Sequence, residues 1–267
     1  MPYNDGCLSI ESPVLAPDDI SAVMITRDAA ATLALCLTSL EAFPEVLIFD
    51  NGSTDDTAAI ARRFDNVRLE HGEFIGFGPT RNKAASLARY DWIFMIDSDE
   101  IASETLLASL AGTRRHDPSR VYIVERHNYL MGRRVRHGGW GRDWLPRVYH
   151  RGHHRYSDAV VHENIILGAE SRPERLEGEL THLAVRELGQ FLVKVNRYSE
   201  LRSQAARRVH SPAVVLFLAA WAFFRTYVLR LGFLDGWRGL VIAWSNANGV
   251  FFKYMKPYAN RRAAGRQ

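Results

Sequence analysis

The chain of 267 residues predicts an α/β fold with a mainly parallel sheet and helices on both of its faces. Three observations carry that prediction. Short apolar runs alternate with helix-patterned stretches from Ser21 onward. Hydrophobic residues make up 47% of the chain, enough to bury a substantial core. Polar and acidic residues recur where the apolar runs stop, at Thr26, Asp50 and Asp97. In open sheets of this kind ligands bind beyond the carboxyl ends of the strands.

The elements follow in order. Residues 21–26 read as a buried strand, and residues 29–42 as a helix whose Leu33, Leu37 and Leu40 share one face. A second strand covers 46–49. The helix over 55–64 starts with Asp55 and Asp56 and ends with Arg62 and Arg63, as the helix dipole prefers. A short strand at 67–70, a helix at 79–89 and a fourth strand at 92–96 complete a βαβαβαβ order. The stretch 121–180 is richer in Arg, His, Gly and aromatics and reads as irregular strands and loops, and helices resume near Arg186. The chain therefore divides into an N-terminal extension (1–20), an α/β domain (21–185, with halves 21–112 and 113–185) and a helical basic extension (186–267).

Bulk properties narrow the setting. Cys7 and Cys36 are far apart and lack a partner His pattern, so neither a disulfide framework nor a cysteine-rich zinc site is supported. No basic segment leads into an apolar stretch at the N-terminus, so a cleaved signal peptide is not expected and a cytoplasmic setting is. Residues 186–267 hold 14 Lys/Arg against 3 Asp/Glu, an excess of +11, whereas residues 1–185 carry −7. Such asymmetry points to an anionic partner surface. Residues 209–224 contain no Asp, Glu, Lys or Arg, yet this run falls short of the ~20 residues a spanning helix needs. An interfacial helix on anionic lipid fits it better. No DNA-binding motif accompanies the charge, so nucleic acid is not the expected partner.

The chemistry concentrates in a few places. Asp97-Ser98-Asp99 follows an apolar strand, and carboxylates there are costly to bury without a cation. A magnesium-like ion held by one or two carboxylates usually shares a phosphate-bearing substrate, which points to a nucleotide diphosphate. As an isolated triplet it also suits a solvated loop before a helix capped by Ser103. Asp50 could accept the N3–H of uracil; Asp50-Asn51-Gly52 also suits a hairpin turn, but helix-patterned residues follow it. Arg81, after Gly76 and Gly78, could pair with phosphate oxygens. Glu163, after Val160-Val161-His162, suits a base that takes a proton from an attacking hydroxyl, with Asp158 and Asp143 as competitors. His162 and His182 could ligate a metal, although a lone His more often packs or hydrogen-bonds.

From about Ser21 to Tyr258 the chain resembles the bacterial glycosyltransferase family 2 proteins of lipopolysaccharide-core synthesis, in their β-1,4-glucosyltransferase-like branch. The resemblance lies in Phe49-Asp50-Asn51-Gly52-Ser53-Thr54-Asp55, Arg81-Asn82-Lys83-Ala84, the run from Asp91-Trp92-Ile93 to Asp97-Ser98-Asp99-Glu100, Val161-His162-Glu163, and Gly232-Phe233-Leu234-Asp235-Gly236-Trp237-Arg238-Gly239. It implies a Rossmann-like GT-A fold, a UDP-sugar donor (glucose by the branch), a divalent metal (Mg2+ or Mn2+) and inversion by direct displacement. Asp50 would then bind the nucleoside, Arg81 the diphosphate, Asp97 and Asp99 the ribose and metal, and Glu163 would be the base. Thr26 closes the donor-binding set at the end of the first strand. The acceptor would be a lipid-linked saccharide, and the protein would sit peripherally on the cytoplasmic face of the inner membrane. Where relatives often have Asn-Glu after the first strand, this chain has Arg27-Asp28-Ala29. A non-catalytic nucleotide-sugar-binding scaffold recruited to membranes is the alternative from another functional class.

Overall fold

The structure, a computed structural model, describes residues 18–113, 115–141, 143–158, 163–189, 191, 196 and 210–264. Most of the N-terminal extension, Cys7, Val160-Val161-His162 and most of 190–209 lie outside the described residues.

The first half alternates as expected: β1 (Ile20–Thr26), α1 (Leu33–Thr38), β2 (Glu45–Asp50), α2 (Thr57–Ala61), β3 (Val67–His71), α3 (Phe77–Leu87) and β4 (Trp92–Met95). α1 and α2 are shorter than the apolar rhythm suggests. Tight i→i+3 bonds such as Ser39 N–H to Cys36 O (3.1 Å) and Leu40 N–H to Leu37 O (2.9 Å) end α1 early. The leucine face nevertheless stays in place on the sheet.

Next come β5 (Glu100–Ala102), α4 (Glu104–Ala111), β6 (Arg120–Leu130), β7 (Arg133–Arg134), β8 (Asp143–His150) and β9 (Arg172–Val185). Ser103 caps α4, its hydroxyl accepting from Leu106 N–H at 3.2 Å. The segment expected to be irregular thus forms three long strands. Their alternation was hidden in the sequence because charged residues, among them Glu125, Arg126 and Arg147, occupy strand positions and are paired with one another or with acids from elsewhere.

Among the described residues the sheet runs β3-β2-β1-β4-β8-β6-β9-β5, with β7 paired to β6. Strands β3, β2, β1 and β4 are mutually parallel; β8 joins β4 antiparallel, so the sheet is mixed beyond that point. The side-chain period of two splits the core into two layers. Ile20, Ala22, Met24, Trp92 and Phe94 face α1 and α4, whereas Val23, Ile93 and Met95 face α3.

The C-terminal part folds back as a helical hairpin: α5 (Pro212–Phe224), a π turn (Arg225–Leu229), a 3₁₀ turn (Gly232–Asp235) and α6 (Trp237–Ala264). The helix that starts with α5 continues through Arg225, so its 18 residues, Pro212–Leu229, are long and apolar enough to cross a membrane by length and composition. A third core cluster of Leu130, Val135, Val185, Phe191 and Ile242 fastens α6 to β6 and β9.

Candidate active site

The parallel half ends in a cluster of alternating charge. Asp97 follows β4, Glu100 starts β5, Arg81 lies on α3, Arg126 on β6 and Arg147 on β8. Arg81 Nη2 donates to Asp97 Oδ1 at 2.7 Å and lies 3.7 Å from Glu163 Oε1. Arg147 Nη2 donates to Asp97 Oδ2 (2.9 Å) and to Glu100 Oε1 (2.5 Å). Arg126 reaches Glu100 Oε1 at 3.2 Å and also bonds Asp143. The result is an unbroken chain from Glu163 through Arg81, Asp97, Arg147, Glu100 and Arg126 to Asp143. Buried charges persist when they are paired in this way.

Burial pushes the Asp97 carboxyl up, but Arg81 and Arg147 outweigh it and hold the group far below the usual carboxylate range. Burial alone would lower the Arg147 guanidinium, yet Glu100 and Asp97 raise it well above its ordinary value. Arg81 also stacks over the Tyr156 ring, 5.1 Å from its centroid.

A cavity of about 810 Å³ opens beside this chain, lined by Arg81, Asp97, Asp99, Arg147, Glu163 and His182, among others. Asp99 and His182 meet because β5 pairs with β9 and Leu183 N–H bonds Asp99 O at 2.8 Å. His182 Nε2 lies 3.4 Å from Asp99 Oδ2. On its other side His182 Nδ1 lies 2.6 Å from Asn128 Oδ1, and Asn128 Nδ2 donates to Trp140 O at 2.9 Å. The amide is thereby oriented with its oxygen toward the ring, so Nδ1 carries the proton and Nε2 is the atom turned to the carboxylate. This is the outer-shell support that metal-ligating histidines use. The Asp99–His182 pair fits a divalent cation whose remaining positions a diphosphate would fill. Asp97 fits less well, since arginines engage both of its oxygens; among the described residues no third His, Cys, Asp or Glu completes a cluster.

Thr26 and Asp50 are neighbours in register at the ends of β1 and β2, but neither lines this cavity. Asp50 is buried and accepts Ser53 N–H (3.1 Å) and Ser53 O–H (2.6 Å), with His71 Nδ1 3.3 Å away. Thr26 Oγ1 is buried with no hydrogen-bond partner among the described residues. Asp28 sits at φ +52° and ties the two strand ends together, accepting Thr54 N–H at 2.8 Å while its own N–H donates to Ser53 Oγ at 2.9 Å.

Of the residues singled out from sequence, Arg81, Asp97, Asp99 and Glu163 converge on one cavity. Asp143 lines it too, bound to Arg126, whereas Asp158 is exposed beside Arg155 at 3.6 Å and outside the lining. Gly78 explains how α3 comes so close to Glu163: a Cβ there would fall 1.8 Å from Ser157 O. Arg147, Arg126 and Asn128 escaped sequence reasoning, and Glu100 entered it only as the end of the acidic run. The usable signal was a charge inside a strand-like run, as Arg147 is in Leu145-Pro146-Arg147-Val148-Tyr149, since a charge buried there demands a partner.

A charged cleft just past the carboxyl end of β4 stands where open α/β sheets bind their ligands. Residues 21–166 match the Glycosyl transferase family 2 description, and the chain belongs to glycosyltransferase family 2. It is a glycosyltransferase, and the mixed sheet flanked by helices is the GT-A-like architecture. The chain is 29% identical over 250 residues to the lipopolysaccharide core biosynthesis glycosyltransferase LpsC of Rhizobium meliloti, covering 90% of this chain and 92% of the relative. It is 24% identical over 256 residues to an uncharacterized glycosyltransferase of Rickettsia felis, covering 90% and 89%. Staphylococcus aureus TarS 1-349 in complex with UDP aligns over 92% of both chains with a TM-score of 0.45 and 15% identity.

Proposed function

We propose that the protein is an inverting, metal-dependent glycosyltransferase that moves a sugar, glucose by its branch, from a UDP-sugar to a lipid-linked saccharide such as the lipopolysaccharide core. The observation that carries this reading is the placement of Glu163, Arg81 and the Asp97–Asp99 segment around one cavity. The LpsC relative, named for lipopolysaccharide core biosynthesis, supports the acceptor class.

Glu163, as a carboxylate, takes the proton of the acceptor hydroxyl while that oxygen bonds to the anomeric carbon. The bond from this carbon to the diphosphate oxygen breaks on the opposite side, and the electron pair leaves with UDP. Arg81, which lies between Asp97 and Glu163, is placed to pair with the phosphate charge that develops. Asp99 and His182 would hold the divalent ion, whose chemistry when bound is to neutralise the departing diphosphate. Asp50 and the Thr26 hydroxyl, unpartnered among the described residues, suit the nucleoside at the neighbouring strand ends.

We read α5 and α6 as the membrane-facing surface of this enzyme, seated on the cytoplasmic face of the inner membrane. Between residues 210 and 264 the sequence carries seven Lys/Arg and a single acid, Asp235. The Asp235 side chain is largely covered and bonded to the backbone N–H of Arg136 and His137, so the freely exposed charge of the hairpin is cationic. Apolar and cationic groups together suit anionic lipid.

UDP release with a verified acceptor tests the roles. Glu163→Gln is expected to lower kcat by about 10²–10⁴-fold. Asp99→Asn is expected to lower turnover and to weaken the dependence of activity on Mn2+ or Mg2+. Near-normal turnover in both variants sinks the assignment.

A further inference from the structure

The lining of the cavity has two chemically different parts. Arg81, Asp97 and Arg147, bonded to one another, form the charged end; Trp140 and Phe191, in ring contact, with Ser245, Asn246 and Gly249 of α6, form an uncharged one. Nothing in the donor chemistry uses this second end. It is built by the C-terminal hairpin: Ser245, Asn246 and Gly249 stand on the inner side of α6, while Leu240, Trp244 and Phe252 of the same helix are exposed.

The motif from Gly232 to Gly239 explains how this wall is held. A Cβ on Gly239 would fall 1.7 Å from Gly232 O, so the start of α6 can press on the 3₁₀ turn only because glycine stands there. Between these glycines Asp235 accepts the N–H of His137 (2.8 Å) and of Arg136 (3.2 Å), and Gly138 N–H donates to Arg230 O at 2.9 Å. The loop 136–141 is thereby clasped to the hairpin, and it carries Trp140 to the cavity wall. Trp140 packs edge-on against Phe191 with ring centroids 5.9 Å apart. Asn246 Nδ2 donates to Thr226 Oγ1 at 3.3 Å, and among the described residues its carbonyl oxygen is left for a ligand.

An indole, a phenyl ring, an amide and a hydroxyl without any charge suit a ligand with an apolar C–H face rimmed by hydroxyl groups. That is the chemistry of a sugar ring rather than of a phosphate. We propose that this end is the saccharide subsite of the acceptor, with Trp140 and Asn246 in contact with its sugar ring and Asp235 as the positioning residue. The proposal rests on the transferase reading above and adds to it the element that selects the acceptor: the helix that faces the membrane outward is the wall of the acceptor site inward. A saccharide carried on a lipid would reach the reacting end along α6.

Gly249 offers a clean test, because nothing lies within 4 Å of where its Cβ would stand and leucine is the better helix former. Gly249→Leu should therefore fold and fill the subsite. The probes are UDP with Mn2+, followed by calorimetry, and delipidated lipopolysaccharide core oligosaccharide with methyl glucoside, methyl galactoside and methyl mannoside, followed by saturation-transfer NMR on the UDP-loaded protein. Gly249→Leu should abolish the saccharide signal, and Trp140→Ala should weaken it by up to about tenfold, as loss of a ring contact does. Asp235→Asn should weaken it as well, and UDP affinity should stay within about twofold throughout, since Trp140 holds Asn128 through its backbone carbonyl, which alanine keeps, and Gly249 and Asp235 bond none of the charged cavity residues. Unchanged saccharide binding in both Gly249→Leu and Trp140→Ala overturns the proposal, as does a UDP-loaded wild type that binds none of the saccharides. A wild type that fails to bind UDP sinks the donor reading and this inference with it.

Discussion

Two stretches of this chain share one apolar rhythm and meet opposite fates. In α1 and the turn after it, Leu33, Leu37 and Leu40 recur at helical spacing and are at most 1% exposed. Along α5 and its π turn, Val214, Phe217, Trp221, Phe224 and Val228 follow the same spacing and are 40–69% exposed. The leucines meet Ile20, Met24 and Phe94 on the sheet. The side of α5 that is covered is a different one, marked by Val215, Ala222 and Thr226. Periodicity therefore identifies an apolar face and leaves open what covers it. A contiguous apolar face left uncovered is the kind of surface that takes part in interactions.

The largest expected effect tests the buried side of that contrast. Arg147→Met removes the cation shared by the buried Glu100 and the partly buried Asp97; a loss of about 3–5 kcal/mol is expected in urea unfolding. Leu37→Ala should cost about 2–5 kcal/mol by opening a cavity under the sheet. The matched change on the open face, Phe217→Ser with Trp221→Ser, should leave stability within about 0.5 kcal/mol per site. The same pair should lose flotation with vesicles containing anionic lipid. A stability loss from this pair as large as that from Leu37→Ala would mean that the α5 face is core after all.

The smallest effect concerns pH. His154 is buried, its Nδ1 has no partner among the described residues, and burial lowers its pKa below the ordinary value. The folded state thus prefers the neutral ring. Between the lowered value and the unfolded value near 6.5 the unfolded chain binds more protons, so this contribution is complete above about pH 6.5 and is lost as pH falls. His154→Gln should flatten the acid side of the stability profile below about pH 6.5. An unaltered profile would show that the ring is solvated in the folded protein.

Much of the fold was legible before any coordinate. The strands at 20–26, 45–50 and 92–95 are buried on both faces and read as uninterrupted apolar runs, as central strands of a parallel sheet do. The acidic triplet and Glu163 stand out because each follows an apolar run, and Arg81 because a glycine-bearing loop precedes it. The second half of the sheet did not stand out. In β6 and β8 the residues at 126 and 147 are charged, and their burial makes sense only beside Glu100, Asp97 and Asp143. His182 was visible as a lone histidine, but its place against Asp99 depends on the β5–β9 pairing.

The sequence by itself determined the alternating order of strands and helices, the carboxylates at the strand ends and the cationic, apolar character of the C-terminal hairpin. These follow from local period and composition, which every residue carries with it. Tertiary structure alone decided that Asp97 belongs to two arginines while Asp99 faces His182, that loop 136–141 is clasped by Asp235, and that one side of α6 walls the cavity while the other lies open. Electrostatic partnership and cover are properties of residues brought together across long stretches of chain, as Arg136 and Asp235 are across 99 positions. No local pattern records them.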